Sequence, residues 1–77
     1  MPKNVIKLTE LKKHQKGIIH SFEETELYIK LMEMGCIPGE EIVLEMVAPM
    51  GDPISIMVAG YNLSIRKNEA NKILVEI

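Results

Sequence analysis

A chain of 77 residues, 47% apolar and 26% charged, has the composition of a globular protein, and its length allows one small core and a single domain, residues 1–77. That length excludes a large enzyme with its own cofactor domain. The formal charge of −2 excludes a polycation. The longest apolar run, residues 56–59, is too short for a membrane span or a signal peptide. We therefore expect a cytosolic protein with no membrane insertion.

The chain opens with a short segment and a strand. Residues 7–11 predict a single helical turn with Thr9 near its start. Residues 15–22 predict the first strand, because Ile18 and Ile19 stand at the centre of a stretch of β-favouring side chains.

A helix is predicted over residues 25–34. Thr25 is expected to be its N-cap, and the neighbouring acidic residues suit the positive end of the helix dipole. The apolar side chains form one stripe, which comprises Leu27, Tyr28, Leu31 and Met32. Gly35 fits the left-handed position that ends many helices.

The second strand is predicted over residues 41–48. It follows Pro38 and Gly39, which suit the two middle positions of a type II turn, because proline presets φ and glycine tolerates a positive φ. Apolar and other side chains alternate along the strand. We expect the even-numbered positions to fill the core, namely Ile42, Leu44 and Met46.

The rest of the chain predicts three more strands. Residues 49–53 form a loop, since two prolines and a glycine cannot stand in a central strand. Strands are expected at residues 54–59 and 61–66, joined by a tight turn at Gly60, and residues 67–71 could hold one helical turn. Residues 73–77 form the closing strand. The expected inward side chains are Ile54, Ile56, Val58, Leu63, Ile65, Ile73, Val75 and Ile77.

This order of elements predicts a mainly β fold. It is a small, partly open barrel of about five strands, with one α-helix between strands one and two and short helical turns. Several residues are expected to shape its turns and not to contact a partner: Gly35, Pro38, Gly39, Gly51, Asp52, Pro53 and Gly60.

Catalysis, tight metal binding and a bound cofactor are not expected. The sequence has no phosphate-binding glycine loop, paired-cysteine zinc motif or nucleophile elbow. His14 and His20 would lie about 20 Å apart along one strand, too far to chelate one ion unless the chain turns between them. Cys36 has acidic neighbours and is expected to be a buried hydrophobe. A metal-sensing module that uses these three residues remains an alternative.

The N-terminal segment offers a second alternative. Residues 1–20 carry five lysines against Glu10, and the remainder is acidic. Lys12, Lys13 and Lys16 could contact phosphates in a nucleic-acid-binding barrel. The chain has only three aromatic residues, and stacking on aromatic rings is the usual companion of such binding, so no nucleic acid is expected.

An apolar surface remains to be explained. Val43 and Val47 are predicted to join Met57 and Ala59 on the outer face of the sheet. Either the helix or the chain ends cover this set, or it is a surface on which a partner docks.

An ordered series of short motifs resembles one known family. Residues 31–35 (LMEMG), the Pro38-Gly39 pair, residues 48–54 (APMGDPI), residues 58–61 (VAGY), residues 63–66 (LSIR) and the pair Glu69-Ala70 are similar to ferrous iron transport protein A, FeoA. The resemblance covers about residues 5–77. Relatives often have a Pro-Gly pair where this chain has Lys13-His14, so His14 is expected to adopt a positive φ.

The resemblance implies an SH3-like barrel and a function. It implies a cytosolic accessory or regulatory protein of ferrous iron uptake that docks onto a FeoB-type membrane transporter with a guanine-nucleotide-binding domain. The expected contacts lie on the helix, at Ile29, Lys30 and Glu33, and on the sheet, at Val43, Val47 and Met57. Whether copies of the chain also pair with one another stays open.

Overall fold

The computed structural model describes residues 4–77, which fold around one antiparallel sheet of six strands. The elements, in chain order, are strand β1 (Val5–Lys7), a 3₁₀ turn (Leu8–Glu10), strand β2 (Lys16–Phe22), helix α1 (Thr25–Met32), strand β3 (Glu41–Val47), strand β4 (Ile54–Val58), strand β5 (Tyr61–Ile65), helix α2 (Lys67–Ala70) and strand β6 (Ile73–Glu76). The strand order is β1-β6-β2-β3-β4-β5. The mainly β class is therefore confirmed.

Strand β1 was not predicted, so the sheet has six strands and not about five. It is three residues long and pairs with β6 from Val5 opposite Glu76 to Lys7 opposite Leu74. Three residues are too few to show an alternating pattern. The predicted helical turns are confirmed at Leu8–Glu10 and Lys67–Ala70.

One core joins both ends of the sheet. Leu8, which follows edge strand β1, and Ile65, on the opposite edge strand β5, are buried in the same cluster. A six-stranded sheet can bring its two edges to one core only by curling, which gives the partly open barrel. Helix α1 packs Leu27 and Leu31 into the same core. The ring centroids of Phe22, on β2, and Tyr28, on the helix, are 5.2 Å apart.

Helix α1 differs from the prediction at both ends. Glu24 is the N-cap, although its side chain makes no capping hydrogen bond, and Thr25 is already helical. The α-helix ends at Met32, after which the chain turns. The N–H of Gly35 (φ 89°) donates to the carbonyl of Met32, and that of Cys36 donates to Leu31. This pair of bonds is the Schellman pattern that glycine favours.

A β-bulge corrects the predicted faces of β3. Leu44 pairs with Ile56, but Met46 pairs with Ser55, so Glu45 is the extra residue. Because side chains alternate with a period of two, one extra residue moves every later side chain to the other face. Met46, expected in the core, is 57% exposed, and Val47, expected on the outer face, pairs with buried Ile54.

The β4–β5 hairpin corrects the position of Ala59. Val58 pairs with Tyr61, so Ala59 and Gly60 form a two-residue turn, with φ of 51° and 85°. Positive φ at both positions is the type I′ geometry that matches the twist of a hairpin. Ala59 therefore lies in the turn and not on the sheet face with Met57.

Other turns and strand ends lie close to their expected positions. Gly39 has φ 97°, and the N–H of Glu40 donates to the carbonyl of Ile37, as a type II turn requires. His14 has the expected positive φ, 67°. The peptide bond between Asp52 and Pro53 is cis. Predicted strands differ from the observed ones by a single residue at one end, and Ile77, expected to face inward, is exposed.

Candidate functional site

Exposed apolar side chains stand on helix α1, on the side that faces away from the core. Ile29 is 51% exposed and Met32 is 42% exposed, and Glu33 follows Ile29 by one helical turn. We call Ile29, Met32 and Glu33 the helix surface. Met32 was predicted to lie in the buried stripe, but the structure places it outside the core. The buried positions of the helix are Leu27 and Leu31.

Lys30 lies beside the helix surface but is engaged within the chain. Its Nζ donates to Oε2 of Glu69 at 2.6 Å, which ties α1 to α2. This hydrogen bond is the main reason that the pKa of the Glu69 carboxyl is lowered. Lys30 was predicted as a partner contact, yet its charge is already paired, so a partner would meet a salt bridge and not a free cation.

A second ion pair holds the start of the helix. Nζ of Lys72 lies 2.7 Å from Oε2 of Glu24, and the hydrogen bond between them raises the pKa of Lys72. Each of these exposed pairs is weak by itself. They link the two ends of α1 to residues 69 and 72, in addition to the packing of Leu27 and Leu31 in the core.

Tyr61 borders the C-terminal end of the helix. A side chain at Gly35 would have its Cβ 3.2 Å from the Tyr61 hydroxyl and 3.3 Å from Cβ of Ala59. Tyr61 is itself 42% exposed. The hairpin turn of β4 and β5 therefore packs closely against the turn after α1.

The outer sheet face is a different kind of surface. Its central row crosses four strands, with directly paired residues on β2, β3, β4 and β5: Lys16, Val43, Met57 and Asn62. We call this row the outer sheet face. Val43 and Met57 are half-buried, and each is flanked by neighbours from the adjacent strands. The apolar area that these two side chains offer is small and lies between a cation and an amide. Met46, which the bulge turns to the same side of the sheet, is 57% exposed.

The structure does not bring the six predicted contacts together. Val43 and Met57 are paired on the outer sheet face, whereas the bulge turns Val47, which is 46% exposed, to the other face beside Thr9, Gly51 and Lys67. Helix α1 sends its buried side chains into the core from the inner side of the sheet. Ile29 and Glu33 therefore lie on the opposite side of the sheet from Met57.

Sequence reasoning missed Met32 and Tyr61 as exposed neighbours of the predicted helix contacts. The spacing from Ile29 to Met32 is i, i+3, so a helix projection could have placed both on one face. No local pattern could have shown Tyr61, because its position depends on the packing of the hairpin turn against Gly35, 26 residues earlier in the chain.

The candidate metal and thiol residues lie apart. His20 is on β2, with Nδ1 2.9 Å from Oγ of Ser21 and Nε2 3.9 Å from a carboxylate oxygen of Glu76. Cys36 is buried, and burial raises the pKa of its thiol. Within residues 4–77, no group of three or more His, Cys, Asp or Glu side chains is arranged to hold a metal ion.

The three lysines of the nucleic-acid alternative are exposed, and they belong to two elements. Lys12 and Lys13 lie in the turn before β2, where the backbone N–H of Lys12 donates to Oε1 of Gln15. Lys16 begins β2 opposite Val43. No helix in the described part of the chain is long and apolar enough to span a membrane.

Comparison with known proteins identifies the family. A family model described as the FeoA domain matches residues 6–77. The Fe(2+) transport protein A/Fe(2+) transporter FeoB fusion protein of Porphyromonas gingivalis is 33% identical over 73 residues, which are 94% of this chain. The chain spans only 9% of the length of that curated relative.

Solved structures agree with the observed architecture. The NMR structure of a FeoA-like protein from Clostridium acetobutylicum is 44% identical, with a TM-score of 0.88, and the match covers 100% of this chain and 90% of that one. The crystal structure of Stenotrophomonas maltophilia FeoA complexed with zinc, described as a procaryotic SH3 domain protein, is 25% identical, with a TM-score of 0.78 over 91% and 88% of the two chains. The barrel is therefore SH3-like, and the chain belongs to the FeoA family, which is associated with ferrous iron transport.

Proposed function

We propose that the protein is a non-enzymatic accessory protein of ferrous iron uptake that docks onto a FeoB-type transporter. The observation that carries this proposal is the Porphyromonas gingivalis relative, which is a fusion of transport protein A with the transporter FeoB. A covalent link raises the effective concentration of two modules that bind each other. The separate chain would then make the same contact without the link.

The helix surface is the better candidate for this contact. Ile29 and Met32 expose large apolar side chains, and Glu33 gives the surface a charged rim. Apolar side chains surrounded by charged ones are the usual anatomy of a protein interface. The outer sheet face supports the proposal less well, because Val43 and Met57 are half-buried among cross-strand neighbours.

Docking would regulate the transporter through differential affinity. A ligand shifts a conformational equilibrium only as far as it binds one state more tightly than the other. If the helix surface prefers one nucleotide state of the transporter, it stabilises that state, and guanine nucleotide in turn changes the affinity for this protein by the same factor. The packing of Leu27 and Leu31 in the core would keep the surface in one geometry.

The experiment is capture of the transporter's nucleotide-binding domain by immobilised protein, with and without guanine nucleotide. We expect specific capture that depends on the nucleotide. Ile29→Asp should reduce the capture, because it places a charge at the centre of the apolar contact. Ile77→Asp is the matched control, since Ile77 is 45% exposed and lies at the end of the β6 segment. Absence of capture in every nucleotide state would contradict docking on this domain.

A further inference from the structure

The two edge strands of the sheet, β1 and β5, differ in how well they are protected against pairing with another strand. On β1, the backbone N–H of Lys7 points away from β6 and donates to Oε1 of Glu10 at 2.9 Å. The strand then ends in the 3₁₀ turn after only three residues. A short strand with a lysine and a capped N–H is a poor template for another strand.

Strand β5 has none of these protections. It is five residues long, regular in its pairing with β4, and free of proline, lysine and bulges. In a two-residue hairpin the residues that flank the turn form a hydrogen-bonded pair, and bonded and non-bonded pairs alternate from there. Tyr61, Leu63 and Ile65 therefore bond to β4, whereas the backbone groups of Asn62 and Ser64 point away from it.

These outward backbone groups lack a partner within residues 4–77. No strand pairs with the outer side of β5, and no turn or side-chain hydrogen bond of the described chain engages the main chain of Asn62 or Ser64. Both residues are exposed. The edge thus presents alternating donors and acceptors to solvent, which is the arrangement that accepts an added strand.

We propose that β5 pairs antiparallel with β5 of a second copy, so that the two sheets become continuous. The register is centred on Leu63. Asn62 then lies opposite the second copy's Ser64, and each of these residues exchanges both of its backbone hydrogen bonds with the other. Leu63 lies opposite the second copy's Leu63 in the closer, non-bonded type of pair.

The chain itself is the occupant that this edge fits. In this register the outer face pairs Asn62 with Ser64, two neutral polar side chains, and the inner face pairs Leu63 with Leu63 and Tyr61 with Ile65. No like charges stand opposite each other, and partly buried Leu63 gains an apolar neighbour. The pairing is isologous, so it closes as a dimer and cannot extend into a fibre. It uses a different element from the helix surface and does not depend on the proposed docking.

Amide hydrogen exchange of the unmodified protein tests the pairing directly. Between about 50 µM and about 1 mM protein, a range suited to a weak dimer, exchange at Asn62 and Ser64 should slow by about threefold or more. Exchange at Leu63 should not change, because its N–H bonds to β4 at every concentration. Equal exchange rates of Asn62 and Ser64 at both concentrations would overturn the proposal, as would slowing that requires added transporter domain.

A pair of variants gives an independent test by sedimentation equilibrium. Ser64→Pro removes the outward N–H without removing a bond to β4, and it should remain monomeric where the wild type dimerises. Ser64→Ala keeps the N–H and should dimerise like the wild type. Equal dimerisation of the two variants would overturn the proposal. Circular dichroism shows whether Ser64→Pro is folded, and the exchange measurement decides the matter if it is not.

Discussion

Ile29 on helix α1 and Met57 on strand β4 both lie outside the core, but their neighbourhoods differ. Ile29 stands on a convex helix with its flanking side chains directed around it, and half of it is exposed. Met57 is paired on one side with Val43 and on the other with Asn62, and it is half-buried. In the middle of the sheet, cross-strand neighbours shield the outward side chain of Met57, whereas the neighbours of Ile29 on the helix leave it exposed.

Because of this difference, only the three-dimensional structure shows how exposed each of the two sets of predicted contact residues is. The sequence suggested both sets as partner contacts. In the structure, the helix surface offers large apolar side chains and an acidic residue to a partner. The row of the outer sheet face offers only the half-buried Val43 and Met57 between Lys16 and Asn62, and Met46 adds an exposed apolar side chain nearer the end of β3. Between these two surfaces, the helix surface is therefore the principal docking candidate.

The largest expected effect concerns the bulge that reshapes the outer sheet face. Leu44→Ala should lower the free energy of unfolding by about 2–5 kcal/mol, because it leaves a cavity in the core. Met46→Ala, two residues away on the same strand, should change it by about 0.5 kcal/mol or less, since Met46 is exposed. Urea unfolding of both variants measures this, and similar losses would contradict the assigned bulge at Glu45.

The turn that ends the helix surface gives the next largest effect. Gly35 and Gly51 have nearly the same φ, 89° and 88°, but only a Cβ at Gly35 would meet close neighbours. Gly35→Ala should therefore destabilise by about 2–3 kcal/mol and Gly51→Ala by about 1 kcal/mol. Thermal or urea unfolding compares them. Equal losses would show that the packing of the hairpin turn on the helix end is unimportant.

The smallest effect concerns the ion pair beside the helix surface. The pKa of Glu69 is lowered in the folded state, chiefly by the hydrogen bond from Lys30. Its stabilising contribution is therefore present above the unfolded-state pKa and is lost as the pH falls through the folded-state pKa. Because Lys30 is well exposed, the contribution should be about 0.5 kcal/mol or less.

A matched variant isolates this contribution. Glu69→Gln should be less stable than the wild type near neutral pH, and the difference should shrink at an acidic pH that protonates Glu69 in the folded protein. Urea unfolding at both pH values gives the difference. A difference that does not shrink at the lower pH would mean that Glu69 acts through packing and not through its charge.

Much of the fold could be predicted because local signals agree with it. Glycine and proline mark the turns at Gly39 and Gly60, and β4 alternates without interruption, so Ile56 and Val58 are buried as expected. The alternation of β3 was misleading after Leu44, because a bulge is decided by the pairing with β4 and leaves no local mark. The predicted N-cap was wrong by one residue, because Glu24 is extended and Thr25 is already helical.

Less of the candidate site could be predicted. The position of Ile29 follows from helical spacing, but the engagement of Lys30 depends on Glu69, 39 residues further along the chain. The separation of Val47 from Val43 and Met57 depends on the bulge. Sequence patterns thus located the surface elements, and tertiary contacts decided which of their side chains are available to a partner.

The most direct test of the account is the affinity of two variants for the transporter's nucleotide-binding domain, measured by titration in the nucleotide state that binds best. Ile29→Asp should weaken binding by about tenfold, equal to about 1.4 kcal/mol. Met57→Asp, with its fold verified by circular dichroism, should weaken it by about threefold or less. If Met57→Asp abolishes binding while Ile29→Asp binds like the wild type, the docking surface is the outer sheet face, and the central claim is wrong.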